Sequence, residues 1–250
     1  MRRALIAGNW KMYKTISAGV ALAREIADGT KPGGPEVVVF PPATALAAVS
    51  QAVKGTPVAV GGQNVHFARE GAFTGEVSPL MLKDAGCTHV LLGHSERRHV
   101  FGEDDELIAR KTRAAVDGGL VPVVCVGETL PEREGRRTLE VVERQVERAL
   151  RPLSADEVGR LAIAYEPVWA IGTGQVATPE QAQEVHAFIR RHVAGSHGDP
   201  VGGAVRILYG GSVKPDNIAG LMALEDVDGV LVGGASLEAG SFLKIIRGRG

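Results

Sequence analysis

Eight short runs of apolar residues recur along the chain. They lie at 4–8 (ALIAG), 37–41 (VVVFP), 58–62 (VAVGG), 89–93 (HVLLG), 121–126 (VPVVCV), 161–165 (LAIAY), 205–209 (VRILY) and 229–233 (GVLVG). Each is apolar almost throughout, whereas a strand with one wet face alternates with a period of two. The runs therefore read as strands buried on both faces, as in a parallel sheet covered by helices. Helical periodicity fills the gaps between them. Leu139, Val142, Val146 and Ala149 repeat at spacings of three and four over 138–150, one face of a helix. Over 178–194, Thr178 with Gln181 forms a capping box with Pro179 at the first helical position, ahead of a stripe of Val185, Phe188, Ile189 and Val193. Ser154 with Glu157 is a second capping box, and 103–117 is acidic at its start and basic further on, as the helix dipole favours.

The strand starts are 33, 21, 31, 32, 40, 44 and 24 residues apart, about one strand–helix unit each, with no linker between units. Eight such units predict an α/β fold, a (β/α)8 barrel spanning 1–250 as one domain. A doubly wound open sheet is the alternative, disfavoured by the count of eight and by the lack of an early GxGxxG.

Composition narrows the function. The 250 residues carry 28 basic and 29 acidic side chains, a net charge of −1, so electrostatics favours neither nucleic acid nor an anionic membrane. The apolar runs are strand-sized, so no transmembrane helix is expected, and the N-terminus lacks the apolar length of a signal peptide. Cys87 and Cys125 form no CxxC pair, which points to neither a metal site nor a disulfide but to a reduced, cytoplasmic setting.

Glycine is abundant, 33 residues, and its placement matters. In a barrel of this kind the site gathers where the strands end. Tyr209-Gly210-Gly211-Ser212 and Val232-Gly233-Gly234-Ala235 repeat a strand–Gly–Gly–helix-start pattern 23 residues apart. Glycine lets backbone N–H groups approach an anion, and a helix start favours negative charge, so the pair reads as a phosphate site; a pair of tight turns is the plainer alternative. Glu166 follows the sixth strand, beside a segment (Pro167, Val168, Trp169, Ala170, Ile171, Gly172, Thr173, Gly174) with an apolar centre and glycines, which reads as a lid or a static rim loop. A carboxylate under a lid suits a general base, its pKa expected to rise by desolvation; a salt-bridged rim residue is the alternative. His94 stands where the fourth helix should begin, a position that disfavours the imidazolium, so it is expected to be a neutral hydrogen-bond donor or else a capping residue. Lys11 follows the first strand and could face a phosphate or an oxyanion, or act as a Schiff-base amine. His94, Glu96 and His99 have no known metal spacing, and no metal is expected. A small phosphorylated substrate, a carboxylate base, a neutral histidine and a lysine fit proton abstraction beside a carbonyl, which needs no cofactor.

Four stretches carry a resemblance: Gly8-Asn9-Trp10-Lys11-Met12, Gly93-His94-Ser95-Glu96-Arg97-Arg98, Ala164 to Gly174 around Glu166, and Tyr209-Gly210-Gly211-Ser212-Val213. In order and spacing, over about 4–246, they resemble the triosephosphate isomerase family. The resemblance implies a TIM barrel and cofactor-free interconversion of dihydroxyacetone phosphate and D-glyceraldehyde 3-phosphate through an enediol(ate), in glycolysis and gluconeogenesis. It implies Glu166 as base, His94 as electrophile, Lys11 as electrostatic partner with Asn9 beside it, and Glu96 as a supporting acid. It implies backbone groups of Gly172, Ser212, Gly233 and Gly234 at the phosphate and residues 167–174 as the lid. It further implies a homodimer in which the loop at 65–79, with Thr74 and Gly75 at its tip, reaches the neighbouring site. The rival readings are a non-catalytic phosphate-binding barrel, an aldolase through Lys11, and a metal-dependent epimerase.

Overall fold

A computed structural model describes residues 2–171 and 177–248 of the chain. The eight apolar runs form β1 (Leu5–Asn9), β2 (Glu36–Phe40), β3 (Val58–Gly62), β4 (His89–Leu92), β5 (Val121–Val126), β6 (Ala162–Tyr165), β7 (Arg206–Tyr209) and β8 (Gly229–Val232). Neighbours follow chain order and pair in parallel, and β8 pairs with β1, so the sheet closes. The open-sheet alternative is thereby removed.

Closure also explains why the strands do not alternate in polarity. Leu5, Ala7, Val38, Phe40, Leu91, Val123, Cys125, Ala162, Ala164, Leu208 and Leu231 pack together inside the barrel. The intervening residues, such as Ile6, Val39, Val124, Ile163 and Val230, pack outward in the layer shared with the helices. Both faces are therefore apolar for separate reasons.

The helices follow the predicted signals. The Thr138–Leu150 helix buries Val142, Val146 and Ala149, with Leu139 partly covered at its edge. At the Pro179–His197 helix, Thr178 Oγ1 accepts the Gln181 N–H at 3.2 Å and Gln181 Oε1 accepts the Thr178 N–H at 3.0 Å. This helix runs three residues beyond the predicted end, to His197, and stops at Gly198 in a positive-φ conformation (φ 96°). The Ser154–Glu157 box caps Ala155–Val158, and Asp104 caps Asp105–Asp117. Among the described residues, no helix is long and apolar enough to cross a membrane.

Strand periodicity places the functional groups. Stepping two residues beyond the last inward apolar position leads from Ala7 to Asn9, from Cys125 to Gly127, from Ala164 to Glu166, from Leu208 to Gly210 and from Leu231 to Gly233. The inward face thus changes from apolar core to polar or side-chain-free positions at the C-terminal mouth.

Candidate active site

Glu166 lies one residue past β6. Its N–H donates to the Val126 carbonyl and the Gly210 N–H donates to the Tyr165 carbonyl, each at 2.7 Å, so its backbone is clasped between β5 and β7. The clasp is tight. A Cβ at Gly127 would lie 1.7 Å from the Glu166 carbonyl oxygen, and one at Gly210 would lie 2.9 Å from Glu166 Cγ. Only glycine fits both flanks.

The Glu166 carboxylate is buried. Oε2 accepts the Ser95 N–H at 2.8 Å, and Oε1 lies 3.0 Å from His94 Nε2. Burial pushes its pKa up, but His94, the Ser95 N–H and Lys11 together outweigh burial and hold it below its ordinary value. The upward shift expected from the sequence is therefore absent in this arrangement, because the carboxylate rests on donors instead of standing desolvated and alone.

His94 caps the Ser95–His99 helix, where the sequence placed it. Its Nδ1 accepts the Glu96 N–H at 3.2 Å, which leaves the ring proton on Nε2, aimed at Glu166. Burial lowers its pKa, yet the adjacent Glu166 carboxylate more than offsets this and the net shift is upward. A second proton would have to sit on Nδ1 and would cost the bond to the Glu96 N–H.

Lys11 is one of three non-glycine residues with positive φ among those described (φ 49°). Such a conformation costs about 1–3 kcal/mol and needs support from its surroundings. Asn9 Oδ1 accepts the Lys11 N–H at 2.9 Å, and Gln63 Nε2 donates to the Lys11 carbonyl at 2.7 Å and the Phe40 carbonyl at 2.8 Å. The strained turn sends the ammonium into the mouth, where Nζ donates to Glu96 Oε1 at 2.6 Å.

Across the mouth the side chains thin out. A cavity of about 340 Å³ runs from Lys11, His94 and Glu166 to Gly210, Gly211, Ser212, Gly233 and Gly234. After β8, Gly233 leads directly into the helical turn Gly234–Leu237, as predicted. After β7 it does not: Ser212 begins an irregular turn, with Asn217 Nδ2 donating to the Ser212 carbonyl at 2.9 Å, and the helix starts only at Ile218. Lys214 also lines this cavity.

The segment after Glu166 begins anchored. Val168–Ala170 form one 3-10 turn with Ala170 buried. Trp169 Nε1 donates to Glu128 Oε1 at 2.9 Å, and the Arg133 guanidinium sits 5.3 Å from the centre of the Trp169 ring. Trp169 is therefore packed against the rim. Gly172, Thr173 and Gly174 lie outside the described residues.

A family model described as triosephosphate isomerase matches residues 4–249. The chain belongs to the triosephosphate isomerase family. Relatives named triosephosphate isomerase include that of Pelobacter propionicus, 54% identical with all of both chains covered. That of Carboxydothermus hydrogenoformans is 55% identical over 99% of each chain, and that of Roseiflexus sp. is 53% identical over 98% of this chain and 97% of its own.

In this family member the mouth brings together Asn9, Lys11, His94, Glu96 and Glu166 on one side and Ser212, Gly233 and Gly234 on the other. Thr74 and Gly75 are exposed on the loop at 65–79, and Gly75 borders a groove that also reaches Asn9, Lys11, His94 and Glu96. Reasoning from the sequence assigned no role to four contributors. Gln63 clamps Lys11, the Ser95 N–H holds Glu166, and Gly127 admits the Glu166 backbone. Glu128, fully buried, accepts from Tyr165 Oη as well as from Trp169. The two-residue inward step would have flagged Gly127, whereas nothing local to Gln63 or Ser95 announces a backbone contact.

Proposed function

We propose that this chain interconverts dihydroxyacetone phosphate and D-glyceraldehyde 3-phosphate by proton transfer through an enediol(ate), the triosephosphate isomerase reaction of glycolysis and gluconeogenesis. The observation that carries the reading is the convergence of Glu166, His94 and Lys11 on one cavity whose far wall is glycine backbone. Glu166 takes a proton from the hydroxymethyl carbon. The released electron pair forms the carbon–carbon double bond, and the carbonyl oxygen becomes the enediol(ate) oxygen. His94 Nε2–H and the Lys11 ammonium stabilise that oxygen. The proton returns to the neighbouring carbon, while the original hydroxyl proton passes by way of the His94 ring to the former carbonyl oxygen, so that the first oxygen becomes the aldehyde and the second the hydroxyl. Backbone N–H groups at Ser212, Gly233 and Gly234 take the phosphate, and residues 167–174 cover the intermediate.

Geometry imposes a sequence on these events. The single proton on His94 Nε2 cannot serve Glu166 and the substrate oxygen together. Substrate must therefore displace the carboxylate from His94, and the base must leave the Ser95 N–H to reach carbon. Leaving removes two of the influences that lower its pKa while burial stays, so its basicity rises when it is needed.

We further take the chain, 1–250, as one cytoplasmic barrel domain that pairs with a second copy. A groove of about 340 Å³ opens beside Lys11, walled by Met12, Asn64, Glu96, Arg97 and Phe101. Met12 is 93% exposed, and Tyr13, Val100 and Phe101 are exposed nearby, an apolar area that a monomer seldom leaves bare. The loop at 65–79 is a knob of matching character, its Phe73 ring packed 4.0 Å from His66. Isomerase activity with EDTA present, compared between native protein and Glu166→Gln, tests the reaction; sedimentation of native protein and Thr74→Arg tests the pairing. No turnover by folded native protein would favour a phosphate-binding scaffold.

A further inference from the structure

Arg98 meets three groups that have no sequence relation to one another. Nε donates to the Gly93 carbonyl at 2.8 Å, Nη2 to the Cys125 carbonyl at 3.1 Å and Nη1 to Asp105 Oδ1 at 2.6 Å. Its side chain is only 8% exposed. The need for this arrangement follows from the ladder. β4 ends at Leu92, paired with Val124, while β5 runs on to Val126. Beyond Leu92, Gly93 turns away with φ 67°, a conformation that glycine allows. The Cys125 carbonyl faces the side that β4 has left, and it would be a buried acceptor without a strand partner. The guanidinium takes that place. It sits so close that a Cβ at Gly93 would lie 3.0 Å from Arg98 Nη2.

The same contacts bracket His94. Gly93, just before it, is tied through Arg98 to β5, and Arg98 belongs to the short helix that His94 caps. A planar donor fork reaches two carbonyls and a carboxylate from three separate nitrogens in fixed directions, whereas an ammonium carries all its donors on one compact nitrogen. Asp105 aims the fork and is itself held by Arg144 Nε at 3.1 Å.

We propose that Arg98 is a positioning residue: its guanidinium replaces the missing β4 partner of β5 and thereby fixes His94 and the Ser95 N–H against Glu166. The proposal rests on the isomerase reading for its kinetic consequence but not for its structural one. In the test, native protein is compared with Arg98→Lys, Arg98→Met and Asp105→Asn. Melting temperature, kcat, KM and the imidazole resonances of His94 in the substrate-free protein are recorded for each. Misplacing a reacting group by about 1 Å costs on the order of 100-fold in rate. Arg98→Met is expected to lose about that factor in kcat with KM within about threefold of native. Arg98→Lys should fall between it and the native protein, and Asp105→Asn should lose less than either. The His94 Nε2–H signal should shift in each folded variant, in the same order. Arg98→Lys and Asp105→Asn that fold, keep kcat within twofold and leave the His94 resonances in place would overturn the proposal, even if Arg98→Met does not fold. If native protein shows no isomerase turnover, the function reading fails, while unmoved or shifted His94 resonances still decide the positioning role.

Discussion

On the β1, β4 and β6 side of the mouth every functional side chain is tied to another: Lys11 to Glu96, His94 to Glu166, Glu166 to the Ser95 N–H. On the β7 and β8 side the wall is mostly glycine backbone, with Ser212 and Lys214 beside it, and a Cβ added at Gly234 would meet nothing within 4 Å. The contrast follows from the two tasks. Proton transfer needs side chains whose charge and basicity respond to one another, so each must be oriented by neighbours. Holding a phosphate needs backbone N–H groups and space, so the side chains are removed. Damage on the first side should therefore appear in kcat, and damage on the second in KM.

Substitutions can break that division, and the largest effect belongs to the base. Glu166→Gln should lower kcat by roughly 1,000-fold or more, near the upper range for loss of a general base. Lys11→Met removes the ammonium facing the developing oxyanion and should lower kcat by about 100-fold or more, with some rise in KM because Lys11 also borders the phosphate wall. Gly210→Ala lies where the two sides meet. Its methyl group would press on Glu166 Cγ and the Tyr165 carbonyl, so kcat should fall by about tenfold as the base is displaced. Gly234→Ala should keep the native melting temperature and kcat while raising KM by a few-fold, about 1 kcal/mol of binding. Steady-state kinetics on these four variants decides whether the division holds; a Gly234→Ala enzyme with low kcat and native KM would erase it.

A control away from the mouth should leave turnover alone. His186 is fully buried between Tyr165 and Tyr209, and burial pushes its pKa down to about 4, from 6.5 when unfolded. The unfolded chain then binds more protons between those values, so stability is complete above about pH 6.5 and falls as the pH drops toward 4. The loss amounts to about 3 kcal/mol per chain. Denaturant titrations at pH 7 and pH 5 should reveal the decline, and a folded His186→Phe variant should lack this part of it.

Much of this architecture was legible before the fold was known, because it is encoded locally. Strands covered on both faces need apolar runs, so β1 to β8 appear within a residue or so of their observed bounds. The Thr178–Gln181 and Ser154–Glu157 caps are four-residue patterns, and Gly233-Gly234 announces itself in the same way. The reactive side was harder to read. Asn9, His94 and Glu166 become neighbours only when the barrel closes, and their association came from whole motifs instead of spacing. What could not be read were contacts made by backbone atoms. The Ser95 N–H under Glu166 adds to the His94 influence that turns its pKa downward, and the turn after Ser212 delays a helix that the Gly-Gly pair seemed to start. Both depend on where a carbonyl or N–H points, and side-chain type alone does not specify that.

Conversion of dihydroxyacetone phosphate in D2O, stopped well before equilibrium, tests the central claim most directly. The product's C2 is read for deuterium by NMR. Proton transfer through an enediol(ate) on the exchangeable Glu166 carboxyl should place solvent deuterium at C2 in a substantial part of the product, and Glu166→Gln should lose turnover and labelled product together. Rapid formation of product with only protium at C2, or an undiminished rate in Glu166→Gln, would contradict the account.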